Sequence, residues 1–568
     1  MGEKNRREEN EKYVVDNFNV ESFLSDNNAN DMLSKQLEKS IQSINSGEFD
    51  KEEHLKNIAN ENKRNKQETQ NKKDDKDKSS DKENTSEDVH CTQYLNYKKS
   101  VPKRTHNSAM SIVTVCVIVL FASMVLYIGY YVVFDSDTVI NNTYNNRSTL
   151  LEKSILRGNI YSDDNQILAQ TVTNAEGSKR YYPYGDLFAH VVGRFENGKS
   201  GLESKYDFTM LTTKQNELEI MINEFQDMKS KGNSIKTTLN IEMQQVAYDA
   251  LQGKKGAVVA INPQNGKIMA MVSTPSYDPN YITDNWEEFT KDEDENHVLL
   301  NRASQGLYAP GSTFKIITAL EYIRENPNSY ESYEYECKGD ISVDDYVLHC
   351  HNNKVHGSED LIKTFAESCN TSFANIGMSL DIKDFQSTCV DLLFNSKLPF
   401  DFEYSKSSFK LTKSSSDFMI AQSSIGQGEV LITPLHLGLI ASAIANDGVL
   451  MKTHILDEIL DDEDNVVEKI QTDEYKRLMT KEEAKILKEM MKEVVEDGTA
   501  TSLNSLPFEV AGKTGTAEYN KGQNSHAWFV CMAPYDNPEI VLSIIVEDGG
   551  TGTEAAVPIA KKILEQFY

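Results

Sequence analysis

The chain lacks the short motifs that identify many metal and redox enzymes. It has 7 cysteines among 568 residues, but no Cys-x-x-Cys pair and no His-Glu-x-x-His segment. The pattern therefore argues against a dedicated zinc centre and against thioredoxin-like chemistry. We expect no metal and no cofactor.

The chain also lacks an excess of basic residues. It has 59 Lys and Arg against 88 Asp and Glu, which gives a formal net charge of −29 and a pI near 4.9. Proteins that bind nucleic acid usually present a basic surface to the phosphates, so this balance argues against a nucleic-acid partner.

Residues 1–107 are poor in apolar side chains, and Lys72–Glu83 is nearly all polar or charged. Such a segment cannot bury enough apolar surface to offset the entropy lost on ordering, so we predict a disordered tail. The apolar residues between Met32 and Ile44 are an exception, because they are spaced like one face of a helix. This spacing favours a transient helix over a helix that binds a partner.

Residues 108–134 contain no charged side chain. As a helix they would span about 40 Å at ~1.5 Å per residue, enough to cross a bilayer with some tilt. A buried helix of a soluble domain is the less favoured alternative. Basic residues precede the segment, whereas Asp135 and Asp137 follow it. The positive-inside rule therefore places the tail in the cytoplasm and residues 135–568 outside the cell.

Two cysteines and two histidines lie close together in the sequence: Cys337, His349, Cys350 and His351. They could form a disulfide, remain free or bind zinc. If the region lies outside the membrane, a Cys337–Cys350 disulfide is favoured. A further cysteine, Cys369, is interpreted as the variable middle residue of the Ser368-Cys-Asn370 motif.

The most informative motif is Ala-Pro-Gly-Ser-Thr-Phe-Lys, which ends in Ser312 and Lys315. A serine hydroxyl is a weak nucleophile until a base removes its proton. Because residues i and i+3 share one face of a helix, the Lys315 amine can reach the Ser312 oxygen. The Pro310-Gly311 pair predicts that Ser312 begins a helix, where its N–H could stabilise a developing oxyanion. The positive helix end and a nearby Lys513 would favour a neutral Lys315.

Two more motifs follow in order: Ser368-Cys369-Asn370 and then Lys513-Thr-Gly-Thr516. Ser-x-x-Lys alone is weak evidence, since it also occurs at Ser407–Lys410. The ordered set is far more specific, and it is the set found in penicillin-binding proteins and class A β-lactamases.

The flanking residues extend this resemblance. Tyr308-Ala-Pro-Gly before Ser312, His356-Gly357 and Ile425-Gly-Gln-Gly428 resemble segments of penicillin-binding transpeptidases. Arg157-Gly158 resembles part of the juxtamembrane pedestal of the class B members. There the family usually has Asp-Arg before a turn, whereas this chain has Ser-Asp-Asp-Asn165. Asn165 can still adopt the left-handed conformation of the turn.

The resemblance implies a multidomain α+β architecture. We expect a pedestal domain over residues 135–240 and a transpeptidase domain over residues 241–568, with an antiparallel sheet covered by helices. Within the latter, Gly256–Ser273 predicts two apolar strands around a Pro263–Gly266 turn.

The resemblance also implies roles for the motif residues. Ser312 would attack a peptide carbonyl with Lys315 as base, and Ser368 would pass the proton to the leaving amine. The Asn370 amide would hold the substrate backbone. On the strand, Lys513 and Thr514 would bind a terminal carboxylate, Gly515 would permit close approach, and the Thr516 N–H would complete an oxyanion hole. These residues make up the predicted catalytic and substrate-binding site.

By the same resemblance, the substrate is a peptidoglycan stem peptide ending in D-Ala-D-Ala, which β-lactams mimic. The implied activity is a D,D-transpeptidase that cross-links stem peptides with release of D-Ala. Only about a hundred residues separate the apolar helix from the main domain, which leaves little room for a glycosyltransferase domain. The family therefore implies a membrane glycosyltransferase partner of the shape, elongation, division and sporulation type.

Two other classes of function remain open at the level of sequence. The first is hydrolysis, in a D,D-carboxypeptidase or a β-lactamase, with water as the acyl acceptor. The second is a β-lactam sensor or a scaffold without catalysis. The apolar helix and pedestal argue against a secreted β-lactamase, and a single apolar segment argues against a sensor with several spans.

Overall fold

The computed structural model describes residues 108–131, 147–174, 177–213, 229–251, 253–291, 296–518 and 524–568. The predicted disordered tail and the helical pattern within it lie outside these residues. So does most of the segment that joins the apolar helix to the pedestal.

The apolar segment forms one helix, Ser108–Tyr130. From Ile112 to Tyr130 its side chains are not buried against any other described residue. These 19 residues are long and apolar enough to cross a membrane. An uncovered apolar helix of this length agrees with the predicted span over residues 108–134.

The remaining helices and strands follow in two lists. The helices are Arg147–Ser154, Ala189–Val192, Gly201–Lys205, Asp207–Met210, Ile241–Leu251, Ile282–Phe289, Lys315–Glu325, Leu361–Ala366, Asn370–Ser379, Ile382–Asp391, Asp417–Ser424, Pro434–Ala445, Lys481–Glu496 and Val557–Phe567. The strands are Ile155–Leu156, Ile160–Tyr161, Ile167–Asn174, Gly177–Tyr181, Ser230–Lys231, Ser234–Thr237, Gly256–Ile261, Ile268–Thr274, Glu334–Cys337, Asp340–Val343, Tyr346–His349, Gly357–Asp360, Val449–Met451, Leu456–Leu460, Val466–Lys469, Glu474–Arg477, Ala511–Ala517, His526–Ala533 and Ile540–Val546.

The main sheet has five antiparallel strands. Their spatial order is Ala511–Ala517, His526–Ala533, Ile540–Val546, Gly256–Ile261 and Ile268–Thr274. The last two form the predicted hairpin. The strand Ile540–Val546 is completely buried and apolar except for Ser543, as expected for a central strand with both faces covered. The order leaves Ala511–Ala517, which carries the Lys-Thr-Gly motif, at one edge of the sheet.

Helices cover this sheet. The helix Pro434–Ala445 is buried along its whole length and packs against the central strands. The helices Ile241–Leu251 and Val557–Phe567 pack against each other and against the sheet. Together they enclose an apolar core, so the larger region has the helix-covered antiparallel sheet that the sequence predicts.

A second sheet combines strands from both sides of residue 240. Its order is Val466–Lys469, Leu456–Leu460, Ser234–Thr237, Ile160–Tyr161, Ile167–Asn174 and Gly177–Tyr181. Within it, Leu456–Leu460 pairs with Ser234–Thr237 in antiparallel register. The predicted boundary at residue 240 therefore crosses a hydrogen-bonded sheet, and the domain limits stay a prediction.

The pedestal contains a buried ion network centred on Glu203. Its carboxylate accepts hydrogen bonds from Nε of Arg157 and from Nε of Arg180, both at 2.6 Å. Arg157 also pairs with Asp207. Burial alone would raise the pKa of Glu203, but Arg180 and Arg157 hold it below its usual value. Nearby, Asn165 adopts the expected left-handed conformation, with φ 65°.

This network generates the first prediction. In a Glu203→Ala variant, two buried guanidinium groups lose their shared partner, and the free energy of unfolding should fall by roughly 3–5 kcal/mol. Urea denaturation of the purified chain measures the loss. The control, Asp401→Ala, removes a more exposed pair with Lys205 and should cost no more than about 1 kcal/mol. A loss in Glu203→Ala as small as about 1 kcal/mol would show that the buried network does not stabilise the pedestal.

Candidate active site

Ser312 and Lys315 lie where a tight turn becomes a helix. Gly311–Phe314 forms a 3₁₀ turn, and the α-helix Lys315–Glu325 continues from it. The α-helix therefore begins three residues later than the sequence predicts. Because residues three apart eclipse one another in a 3₁₀ turn, Ser312 and Lys315 still share one side. Ser312 lines a cleft, whereas Lys315 is completely buried.

Glycine allows this turn to approach the edge strand. Gly311 has φ 54°, and a Cβ atom at this position would lie 2.4 Å from the backbone oxygen of Thr516. Its N–H donates to the carbonyl of Gly426 at 2.8 Å. Any larger residue at 311 would both strain the backbone and separate Ser312 from the strand.

The Lys315 amine joins the first two motifs. Its Nζ donates to the backbone oxygen of Ser368 at 2.7 Å and to Oδ1 of Asn370 at 2.8 Å. Oγ of Ser368 lies 3.3 Å away. The helix Asn370–Ser379 begins at Asn370, directly after this contact. The structure thus brings together Lys315, Ser368 and Asn370 as the sequence predicts.

Lys513 joins the third motif to the same serine. Its Nζ donates to Oγ of Ser368 at 2.9 Å and to the backbone oxygen of Thr514 at 3.2 Å. Lys513 is completely buried, so its amine is not presented to the cleft as a free cation. This differs from the expected direct contact with a substrate carboxylate.

Burial disfavours the protonated form of both lysines. It lowers the pKa of Lys315 to about 8, against a smaller raising effect of Cys369, Cys350 and Glu359. It lowers the pKa of Lys513 well below its usual value, and the neighbouring Lys315 lowers it further. The neutral amine that a general base requires is thus accessible near neutral pH.

The amide of Asn370 bonds to protein on both sides. Oδ1 accepts from Lys315, and Nδ2 donates to the backbone oxygen of His349 at 3.1 Å. One amide hydrogen and one lone pair of Oδ1 remain for a ligand. Asn370 therefore still has the donor and acceptor that a peptide backbone would need.

Thr514, Gly515 and Thr516 line the cleft along the edge strand. The hydroxyls of Thr514 and Thr499 lie 2.6 Å apart, and Gln427 donates Nε2 to the backbone oxygen of Thr516 at 3.3 Å. Sequence analysis missed Thr499, which follows a long helix with no recognisable motif. It noted Gln427 within a flanking segment but assigned it no role.

The loop before Ser312 is held by a buried polar set that the sequence also missed. Glu547 accepts from Nε of Arg302 and from the hydroxyl of Tyr308, both at 2.7 Å. Trp528 donates its indole N–H to the carbonyl of Ala309 at 3.0 Å. Tyr308 was named as a flanking residue, but Glu547 follows a plain apolar strand and gave no signal.

The cleft has a volume of about 1200 Å³. Ser312, Ser368 and Asn370 lie on its wall with the Thr514–Thr516 strand, and it continues past Val347–Lys354 and His526. Among the described residues, the Ser312 hydroxyl has no hydrogen-bond partner and is free to meet a ligand. An open groove along a strand edge suits an extended peptide.

The Cys337–Cys350 disulfide stays a prediction, since the structure has no bond between the two sulfur atoms. Both cysteines are free thiols with Sγ atoms 3.7 Å apart, whereas a disulfide bond is about 2.05 Å long. His349 and His351, the possible zinc ligands by sequence, are exposed. The thiols instead neighbour His356 and Cys369.

Comparison with known proteins gives consistent matches over the described domains. A family model described as the penicillin binding protein transpeptidase domain matches residues 256–565. A second, described as the penicillin binding protein A dimerisation domain, matches residues 157–235.

Curated relatives and solved structures agree with these matches. The chain is 29% identical over 492 residues to the peptidoglycan D,D-transpeptidase PbpA of Mycolicibacterium smegmatis, covering 80% of this chain and 98% of the relative. The D,D-transpeptidase domain of a peptidoglycan glycosyltransferase from Eggerthella lenta is 30% identical, with a TM-score of 0.66 over 73% of this chain and 98% of that one. The ceftriaxone acyl-enzyme complex of penicillin-binding protein A from M. tuberculosis is 27% identical, with a TM-score of 0.67 over 73% and 99%.

Proposed function

The chain belongs to the penicillin-binding protein transpeptidase family, and on that premise we propose that Ser312 is the nucleophile of a peptidoglycan D,D-transpeptidase. The protein acts in peptidoglycan synthesis through a serine acyl-enzyme and binds β-lactams at the same site. The observation that supports the residue assignment best is the buried Lys315 amine, bonded to Ser368 and Asn370 beside the cleft that Ser312 lines.

In the proposed first step, Oγ of Ser312 attacks the carbonyl carbon of the penultimate D-Ala. The hydroxyl proton moves to Nζ of Lys315, and the N–H groups of Ser312 and Thr516 stabilise the oxyanion. Each such donor is typically worth roughly 3–4 kcal/mol in the transition state. The peptide bond then breaks, and the proton returns through Ser368 to the departing D-Ala amine. In the second step an amine of a neighbouring stem peptide attacks the acyl carbon, the ester bond to Oγ of Ser312 breaks, and the amine proton passes through Lys315 to that oxygen.

The buried position of Lys513 changes its proposed role. With Nζ on the Ser368 hydroxyl, Lys513 supports the proton path. We assign direct contact with the terminal carboxylate to the hydroxyls of Thr514 and Thr516, which line the cleft. Gly515 keeps the backbone accessible between them.

We further propose that the Ser108–Tyr130 helix anchors the chain as a single membrane span, with residues 1–107 cytoplasmic and the catalytic domain outside. The described residues between this helix and the transpeptidase domain belong to the pedestal. A membrane glycosyltransferase of the shape, elongation, division and sporulation type would then supply the glycan strands.

The nucleophile assignment predicts that Ser312→Ala abolishes covalent labelling by fluorescent penicillin, because no acyl-ester can form. Gel fluorescence of the purified full-length chain measures the label. Ser407→Ala is the matched control, since it removes the serine of the other Ser-x-x-Lys segment in the main domain and should leave labelling intact. Full labelling of Ser312→Ala would refute the assignment.

The base assignment predicts a pH profile for penicillin acylation. Below its pKa of about 8, Lys315 is mostly protonated, so the rate should rise about tenfold per pH unit from pH 6 and level off above pH 8. Burial lowers this pKa most, and the titratable groups that act against it are Cys369, Cys350 and Glu359. Stopped-flow acylation rates test the profile.

A second variant separates this base from other titrating groups. Lys315→Ala should slow acylation by at least about 10²-fold and remove the pH-dependent rise. A near-normal rate, or an unchanged pH profile in Lys315→Ala, would mean that another group takes the proton.

The proposed topology predicts that protease added to intact cells or spheroplasts degrades the catalytic domain and leaves residues 1–107 protected. Immunoblots with tags at each terminus measure both ends. Protection of the C-terminal tag until the membrane is opened would reverse the orientation.

A further inference from the structure

A short surface segment close to the active site carries three lysines and no acidic residue. This segment, residues 404–416, contains Lys406, Lys410 and Lys413 together with six serines. Because the whole chain has a formal net charge of −29, the segment is a positive strip on a strongly acidic protein. We call it the lysine segment.

The side chains of the lysine segment alternate between the interior and the surface. Ser407, Phe409 and Leu411 are buried, whereas Lys406 and Lys410 are exposed. This period of two is that of an extended chain with one buried face. It places the two lysines on the outer face, and the exposed Lys413 follows them.

The inner face of the lysine segment contacts the active site. The ring of Phe409 stacks on that of Phe314, with centroids 5.7 Å apart, and Phe314 belongs to the 3₁₀ turn that carries Ser312. The backbone of Ser408 exchanges hydrogen bonds of 2.8 and 3.1 Å with Leu431, which lines the cleft. The three lysines therefore stand just outside the cleft, on a strip that is fixed to the catalytic turn.

The charges of these lysines are not paired within the protein. Among the described residues, none of the three forms a salt bridge. By contrast, three other exposed lysines of the same domain each pair with a carboxylate at 2.6–2.9 Å: Lys452, Lys469 and Lys481. The cations of the lysine segment are thus available to an external anion.

The carboxylates near the lysine segment lie at the starts of helices. The Asp381 carboxylate accepts hydrogen bonds from the N–H groups of Lys383 and Asp384, which lower its pKa most, and Lys413 adds to the effect. Asp417 lies in the first turn of the helix Asp417–Ser424. Both carboxylates are therefore stabilised by a helix N-terminus without a salt bridge to the segment.

The substrate of the proposed reaction has the charge that the segment lacks. A stem peptide ending in D-Ala-D-Ala has a terminal carboxylate, so a glycan strand with many uncross-linked stems presents a row of anions. Only one of these stems can react at Ser312 at a time, and its neighbours remain outside the cleft. A strongly acidic protein would repel them unless a positive surface lay beside the cleft.

We propose that the lysine segment is a second substrate-binding site, which holds carboxylates of stem peptides on the same glycan strand as the stem that reacts at Ser312. The proposal rests on the proposed function and specifies a multi-stem strand, rather than a single stem, as the preferred substrate. Each ammonium–carboxylate contact is exposed, so it is weak alone and is screened by salt. Several contacts on one strand strengthen one another, because the first brings the rest to a high effective concentration.

Binding of soluble, fluorescently labelled, uncross-linked glycan strands to the purified full-length chain tests the site by anisotropy. A triple variant with Lys406→Gln, Lys410→Gln and Lys413→Gln should bind the strands about tenfold more weakly at low ionic strength. Added salt should weaken binding of the native chain more steeply than that of the variant. The matched control removes the same charge elsewhere and should stay within about twofold of the native chain: Lys452→Gln, Lys469→Gln and Lys481→Gln.

Two further ligands separate the outcomes. A fragment with a single stem should bind the native chain and the lysine-segment variant equally, because only neighbouring stems meet the segment. Unchanged strand binding in that variant, or equal weakening in both triple variants, would overturn the proposal. So would a loss of affinity for soluble poly(glycerol phosphate) but not for the strands, since the partner would then be a phosphate polymer.

Penicillin labelling distinguishes a failure here from a failure of the proposed function. None of the three lysines lines the cleft, so the native chain and both triple variants should be acylated at the same rate. This equality also shows that the variants are folded. A native chain that is not labelled would contradict the assignment of Ser312, whereas the strand measurements would still decide the role of the lysine segment.

Discussion

The active site depends on an amine buried without a countercharge. Among the described residues, neither Lys315 nor Lys513 pairs with a carboxylate; their nitrogens bond instead to backbone oxygens, one amide oxygen and the hydroxyl of Ser368. The rings of Phe373 and Phe365 lie 5.4 Å from the two nitrogens. Two ammonium groups in such a place would lack solvent and would repel each other, so the fold favours neutral amines.

Contacts from the surrounding structure hold the two lysines and Ser368 in place. The edge strand brings Lys513 to Ser368, and the absence of a side chain on Gly311 lets the 3₁₀ turn reach the same strand. Glu547 fixes the loop before Ser312 through Arg302 and Tyr308. These contacts hold the elements that carry Ser312, Ser368 and Lys513 close together before a substrate arrives.

The sequence predicted the class of reaction better than it predicted the side-chain contacts. Motif order predicts Ser312, Lys315, Ser368 and Asn370 as catalytic residues, and hydrophobic patterning located the first hairpin and the apolar helix. These features depend on neighbours within a few residues. Lys513 was expected at the substrate, but strand position within the sheet buries its side chain, and a motif does not report burial.

Thr499 and Glu547 were missed for one physical reason, whereas the cysteine–histidine cluster was predicted with two wrong members, His349 and His351 in place of His356 and Cys369. Their partners lie far away along the chain, so no pattern among neighbouring residues predicts the contacts. His349 and His351 are adjacent to Cys350, yet they are exposed, whereas His356 and Cys369 reach its sulfur through strand pairing and a helix start. Proximity along the chain was a poor guide to proximity in space.

The sheet shared across residue 240 has a mechanical consequence. The strands Leu456–Leu460 and Ser234–Thr237 come from opposite sides of residue 240, and their backbone hydrogen bonds join the two regions. A hinge at residue 240 would have to break this pairing and leave backbone groups without partners. We therefore expect the two regions to unfold together rather than as independent domains.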